Sequence, residues 1–331
     1  MKILEPRNYY KPFDYPWAYD LWMQHESIHW LSRDVNLSED IRDWNNELTN
    51  EEKQLLTNLF RFFTQADVDV ACGYANKFLP YFSHKPELAM MMSSFAAREA
   101  VHIDAYALLI ETLGMPEETY KQFQEYGEMK DKHEYASDFS MNTPLDTLKT
   151  LAVYSAFTEG MQLFASFAVL LNFKRNNKML NMCNIVAWSI KDESLHVEAM
   201  TKLFRTYQEE YLATITSDAV RNQLEQEIQV DVRKIASEMV EIEDKFIDLI
   251  FEGDIEIEGL TAEEVKQYIR HISNIRWGQL GFGGELYSVE RNPLPWIEIM
   301  INGVEHTNFF EAKSTGYSKA MTKGTMEEIE W

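Results

Sequence analysis

Apolar residues recur every three to four positions through most of the chain, and strand-like alternation is scarce, so the pattern predicts an all-α protein. Thr49 and Glu52 in TNEE form a capping box ahead of an apolar-periodic run that reaches about Leu79 and stops before Pro80. A second helix is expected from Pro86 to about Leu113, ended by Gly114 and Pro116. Shorter helical patterns occupy about 117–131, two long ones about 144–172 and 177–209, and two charged ones about 217–251 and 261–276. The first 45 residues are rich in Trp, Tyr and Pro and read as an arm packed on a helical body. Beyond Thr307 the sequence turns small, polar and glycine-containing, then ends in acids and a tryptophan, which suits a flexible tail with a docking tip. The expected organisation is one helical domain over 1–310, with 1–45 as its arm, and a tail over 311–331.

Composition narrows the possibilities. A chain of 331 residues that is 45% hydrophobic, with 19 Phe, 16 Tyr and 16 Met, can bury a large core. A net charge of −23 without a basic stripe repels a phosphate backbone, which excludes nucleic acid as an expected partner. Cys72 and Cys183 are far apart and form no CxxC, so the chain suits a reducing cytoplasm and carries no dithiol for turning over a reductant. The apolar run LAVYSAFTEGMQLFASFAVLL at 151–171 is interrupted by Glu159 and Gln162, as expected of a buried core helix rather than a membrane span. No P-loop and no GxGxxG occurs, so no nucleotide site is expected.

The chemistry lies in polar groups placed on apolar stripes. A Glu-x-x-His pair occurs three times, at Glu26/His29, Glu99/His102 and Glu193/His196. Chance supplies about one such pair in a chain of this composition, so the surroundings decide. Glu99 and His102 share a stripe with Met92, Phe95, Tyr106 and Ile110, and Glu193 and His196 share one with Val186, Ile190, Met200 and Leu203. Glu26/His29 has no long apolar helix around it and reads as structural or surface. Two more acids face inward on apolar stripes, Asp67 with Phe60, Phe63 and Tyr74, and Glu159 with Ala152, Ala156, Leu163 and Phe167. Four helices each turning an acid to one interior, two of them adding a histidine, are the ligand inventory of a ferritin-like bundle that binds a pair of metal ions. The physical reason is charge, because four unpaired carboxylates are prohibitive in a core and two divalent cations cancel them. Oxygen-rich donors with two imidazoles favour iron or manganese over zinc and do not choose between those two.

These residues resemble a known family, the small, radical-generating subunit of class I ribonucleotide reductase. EAVHIDAY is similar to its E-x-x-H-x-x-x-Y segment and KDESLH to its [RK]-D-E-x-x-H segment, while NPLPW, NFFE and the tail agree as well. The resemblance implies Asp67, Glu99 and His102 as ligands of one ion and Glu159, Glu193 and His196 as ligands of the other, the pair being di-iron, di-manganese or mixed. It implies that Tyr106 stands where the family bears its radical, and that Trp30, Asp192 and His102 form a hydrogen-bonded relay from metal to surface. It further implies a homodimer, with Tyr317 passing the radical across the interface and Trp331 docking the tail in the large catalytic subunit, which reduces ribonucleotides. The radical resides on Tyr106 or on the metal cluster. Alternatives on the same bundle are a dimetal oxidase or monooxygenase acting on a bound substrate, and an iron-storage protein.

Overall fold

The computed structural model describes residues 1–252, 255 and 257–301. The described residues up to 294 carry twelve α-helices: α1 Pro16–Ser27, α2 Ser38–Asn46, α3 Asn50–Gly73, α4 Leu79–Phe82, α5 Pro86–Thr112, α6 Thr119–Gln122, α7 Gly127–Ser137, α8 Pro144–Leu151, α9 Leu163–Arg175, α10 Leu180–Ala213, α11 Asp218–Ile250 and α12 Ala262–Gln279. Among the described residues the only β pairing is an isolated bridge between Ile257 and Leu260. Met1–Leu294 forms one compact unit; Pro295 begins a second, of which 295–301 are described and helical.

The capping box is in place. Glu52 N–H donates to Thr49 Oγ1 at 3.2 Å and Thr49 N–H donates to Glu52 Oε2 at 2.9 Å, satisfying two amides that helix geometry leaves without partners. The helix does not stop before Pro80, as the sequence led us to expect. It rewinds to π geometry over Tyr74–Phe78 and continues as α4, where Pro80 sits in the first turn and its missing N–H costs nothing. The apolar run at 144–172 is likewise interrupted, by a π-helical segment over Ala152–Gln162 between α8 and α9. That run is long and apolar enough to cross a membrane, and it lies buried in the core.

Four elements close a ring around the interior: α3 packs on α5, α5 on α10, α10 on the π segment, and the π segment back on α3. The predicted arm contains α1 and α2. Helix α1 lies on α5 and α10, and it buries Ala18, Leu21 and His25 against them. Helix α2 supplies acids to the start of α10, whose amides at Met179 and Asn181 donate to Asp43 at 2.9 Å and Asp40 at 3.2 Å. Helices α7, α11 and α12 cover the outside, α12 packing on the π segment and α11 on α7.

Candidate metal centre

Asp67 comes from α3, Glu99 and His102 from α5, Glu159 from the π segment, and Glu193 and His196 from α10. All six are buried, none more than 2% exposed. Their donor atoms form two groups, Asp67 with Glu99 and His102, and Glu99 with Glu159, Glu193 and His196. Each histidine turns Nδ1 inward. His102 Nδ1 lies 3.4 Å from Glu99 Oε2 and 3.2 Å from Glu193 Oε1, and His196 Nδ1 lies 3.1 Å from Glu99 Oε1, 3.4 Å from Glu159 Oε1 and 3.3 Å from Glu193 Oε2. Glu99 and Glu193 therefore each approach both histidines.

The local backbone explains the aim of Glu159. In the π segment the carbonyl of Gly160 is free to accept from Arg276 Nε of α12 at 2.7 Å, and a Cβ on Gly160 would lie 2.8 Å from that nitrogen. Arg276 is buried and holds the bulge from outside. On the other flank Tyr74 donates its hydroxyl to Glu159 Oε2 at 2.8 Å. The π segment at Tyr74–Phe78 thus brings a phenol to the acid that the one at Ala152–Gln162 places.

Electrostatically the cluster is incomplete. Both oxygens of Glu99 and Glu193, one each of Asp67 and Glu159, and both histidine Nδ1 atoms are buried without a hydrogen bond. Burial pushes the Glu159 carboxyl up to about 8, and burial together with the Glu99 charge raises Asp67. Burial disfavours protonation of His102 and His196, but the surrounding carboxylates outweigh it and raise both well above the ordinary histidine range. The donor set of four carboxylates and two imidazoles fits two hard or borderline divalent ions.

Beyond the donors, His102 Nε2 lies 3.1 Å from Asp192 Oδ2, and Trp30 donates Nε1–H to the same oxygen at 2.8 Å while its ring stacks on His102. The structure thus places Trp30, Asp192 and His102 in one hydrogen-bonded line. Tyr106 follows one turn after His102, stacked on Phe63 at 4.6 Å, its hydroxyl buried and unpartnered among the described residues. Burial and then Asp67 raise its pKa far above that of a free phenol. Tyr317 and Trp331 lie outside the described residues. Sequence reasoning passes over His25 and Arg276, and it places Tyr74 on the inward stripe of Asp67 without giving it a role. His25 had a usable signal, since it falls one turn after Leu21 on the buried stripe of α1.

A family model described as "Ribonucleotide reductase, small chain" matches residues 7–293. The "Probable ribonucleoside-diphosphate reductase small subunit 376L" of Invertebrate iridescent virus 6 is 46% identical, over 99% of this chain and 99% of its own length. Among solved structures, the ribonucleotide reductase R2 subunit from Clostridium botulinum superposes with a TM-score of 0.76 at 18% identity, covering 87% of this chain and 89% of that one. The dimanganese(II)-NrdF of Streptococcus sanguinis superposes with a TM-score of 0.71 at 21% identity, covering 86% and 96%. These two likenesses establish the shared helical fold, and the full-length relative gives no support to the oxidase or storage alternatives. The chain belongs to the ribonucleotide reductase small-chain family, as the small subunit of a class I ribonucleoside-diphosphate reductase that works with a separate large subunit.

Proposed function

We propose that Asp67, Glu99, His102, Glu159, Glu193 and His196 hold two cations, iron, manganese or one of each; Asp67, Glu99 and His102 would hold one and Glu159, Glu193 and His196 the other. The observation that carries this reading is the convergence of orphaned donor atoms into two groups joined at Glu99. When bound, the metal pair supplies oxygen activation and one-electron oxidising power. The chain's own residues then govern where the oxidising equivalent rests. Tyr106 is the storage residue in this reading, because it stands one helical turn from His102 in the field of Asp67 and its ring is enclosed by core, which shields a phenoxyl radical from quenching. Asp192 fixes the His102 ring through Nε2 and accepts from the Trp30 indole, so Trp30, Asp192 and His102 form the route outward. Tyr317 continues that route, and Trp331 in the 311–331 tail docks the large subunit.

The same reading makes 1–310 the helical domain, with 1–45 as its arm. It gives the chain a homodimeric state and a cytoplasmic address, where the exposed Cys72 and buried Cys183 stay reduced. The test is reconstitution with the cognate large subunit. Glu193→Ala is expected to lower metal content below two ions per chain and to reduce deoxyribonucleotide formation to background, and full retained activity overturns the assignment. Electron paramagnetic resonance on Tyr106→Phe separates the two storage sites. Loss of the organic radical signal together with activity is expected, whereas an unchanged signal and retained activity place the oxidant on the metals.

A further inference from the structure

His196 has two ring nitrogens with different surroundings. Nδ1 faces three carboxylates at 3.1–3.4 Å, so Nε2 points away from the centre, and its hydrogen-bond partner there is Nε2 of His25 at 3.2 Å. His25 is fully buried, belongs to α1 in the N-terminal arm, and packs edge-on against Phe95. Its Nδ1 lies 2.7 Å from Ser94 Oγ, and Ser94 donates to Glu26 Oε1 at 2.5 Å at the surface.

The donor roles along this line leave one assignment. A histidine that binds a cation through Nδ1 carries its proton on Nε2, so His196 donates and His25 Nε2 accepts. The His25 proton then sits on Nδ1 and is donated to Ser94, whose own proton goes to Glu26. Asp192 Oδ1, at 3.7 Å from His25 Nε2, is too far to compete. We propose that His25 is a positioning residue for the metal centre. The arm helix supplies a neutral imidazole that fixes the His196 ring and so selectively supports the ion held by Glu159, Glu193 and His196. This rests on the metal-binding reading above. His102 is held differently, because its outer nitrogen meets the carboxylate of Asp192, and the two ends of the centre are therefore expected to differ in affinity.

The experiment is a titration of the metal-free, full-length chain with Mn(II) alone, followed by calorimetry and by the paramagnetic signal of the free ion. Wild type is expected to take up two ions. His25→Phe weakens one binding step by about 10–100-fold and leaves the other within about twofold, in line with the effect of removing a partner of a ligand histidine. His25→Gln recovers part of the loss, since its amide oxygen can accept from His196. Ser94→Ala leaves the ring in place but frees its tautomer, and weakens the same step by roughly three- to tenfold. Ser94 is only partly buried, so this variant decides the matter should His25→Phe fail to fold. Unchanged affinities in Ser94→Ala, or equal weakening of both steps in a folded His25→Phe, overturn the proposal. Wild type that binds no Mn(II) sinks the metal-centre reading itself, and this proposal with it.

Discussion

Two parts of this core bury charge, and they do so in opposite ways. Between α7 and α11, Lys132 meets Glu243 at 2.7 Å, with the ammonium held between the rings of Phe62 and Phe246 at 3.8 and 3.9 Å. Burial lowers the Lys132 pKa and raises that of Glu243, but one positive and one negative charge are present and each answers the other. Between α3, α5, the π segment and α10, four carboxylates share two imidazoles, so the acids outnumber the groups that can answer them. The first cluster is closed within the polypeptide, whereas the second is closed only by charge from outside. An acid excess over the basic groups among the donors is thus the physical mark that separates a site to be filled from a structural ion pair.

The contrast predicts opposite signs for the same kind of substitution. Glu243→Ala strands the Lys132 ammonium in an apolar slot and is expected to cost about 3–5 kcal/mol in urea unfolding, while Lys132→Met with Glu243→Leu recovers most of the loss. At the metal centre, Glu159→Gln is expected to stabilise the metal-free protein at pH 7 by about 1–3 kcal/mol, because the wild-type carboxyl must take up a proton to fold. The sign follows from a folded pKa of about 8 against an ordinary value of 4.5. Below 4.5 the group is protonated in both states and contributes nothing; between 4.5 and 8 the folded metal-free form loses stability through this group as pH rises. Unfolding curves of both proteins across that window should converge at low pH. A Glu159→Gln variant that is less stable than wild type when metal-free would break the contrast.

Much of this was legible in the sequence, for identifiable reasons. Glu99/His102 and Glu193/His196 each ride a long α-helix with intact 3.6-residue periodicity, so spacing alone put both members on the buried face. Glu159 was found by the same rule although its backbone is π-wound, since the apolar run around it is buried on every side and the phase of the helix hardly mattered. The π winding itself left no such trace, because it depends on Arg276 reaching Gly160 from a helix more than 100 residues away. His25 stayed hidden behind its neighbours: the Glu26/His29 spacing drew attention to two exposed residues, while the histidine that enters the core sits one position earlier and gets there by docking of α1. Glu243 lies on a helix that reads as charged and Lys132 just past the pattern at 117–131, and only tertiary packing shows that they face each other.

The finest test of the contrast is Tyr74. Its hydroxyl is the hydrogen-bond donor to Glu159 Oε2, while Oε1 faces the centre without one. Tyr74→Phe keeps the ring and its packing on Phe78 and Phe95 but removes the donor. In the metal-free chain above pH 8, where Glu159 is ionised, this is expected to cost about 1 kcal/mol, the usual net worth of one buried hydrogen bond, measured as a shift of the urea midpoint at constant slope. With Mn(II) bound the cost should shrink, because a cation on the carboxylate neutralises the charge that the phenol helps to carry. The same substitution on the Glu159→Gln background measures the coupling directly, and a coupling energy of about 0.5–1 kcal/mol that falls on adding Mn(II) is the expected result. At Glu243 no added ion can substitute for Lys132, since its partner is part of the chain and already in place. Were the Tyr74→Phe loss identical with and without Mn(II), the protein donor and the incoming cation would be acting on independent parts of Glu159. The difference between a core that closes on itself and one that waits for metal would then have to rest on the remaining three acids alone.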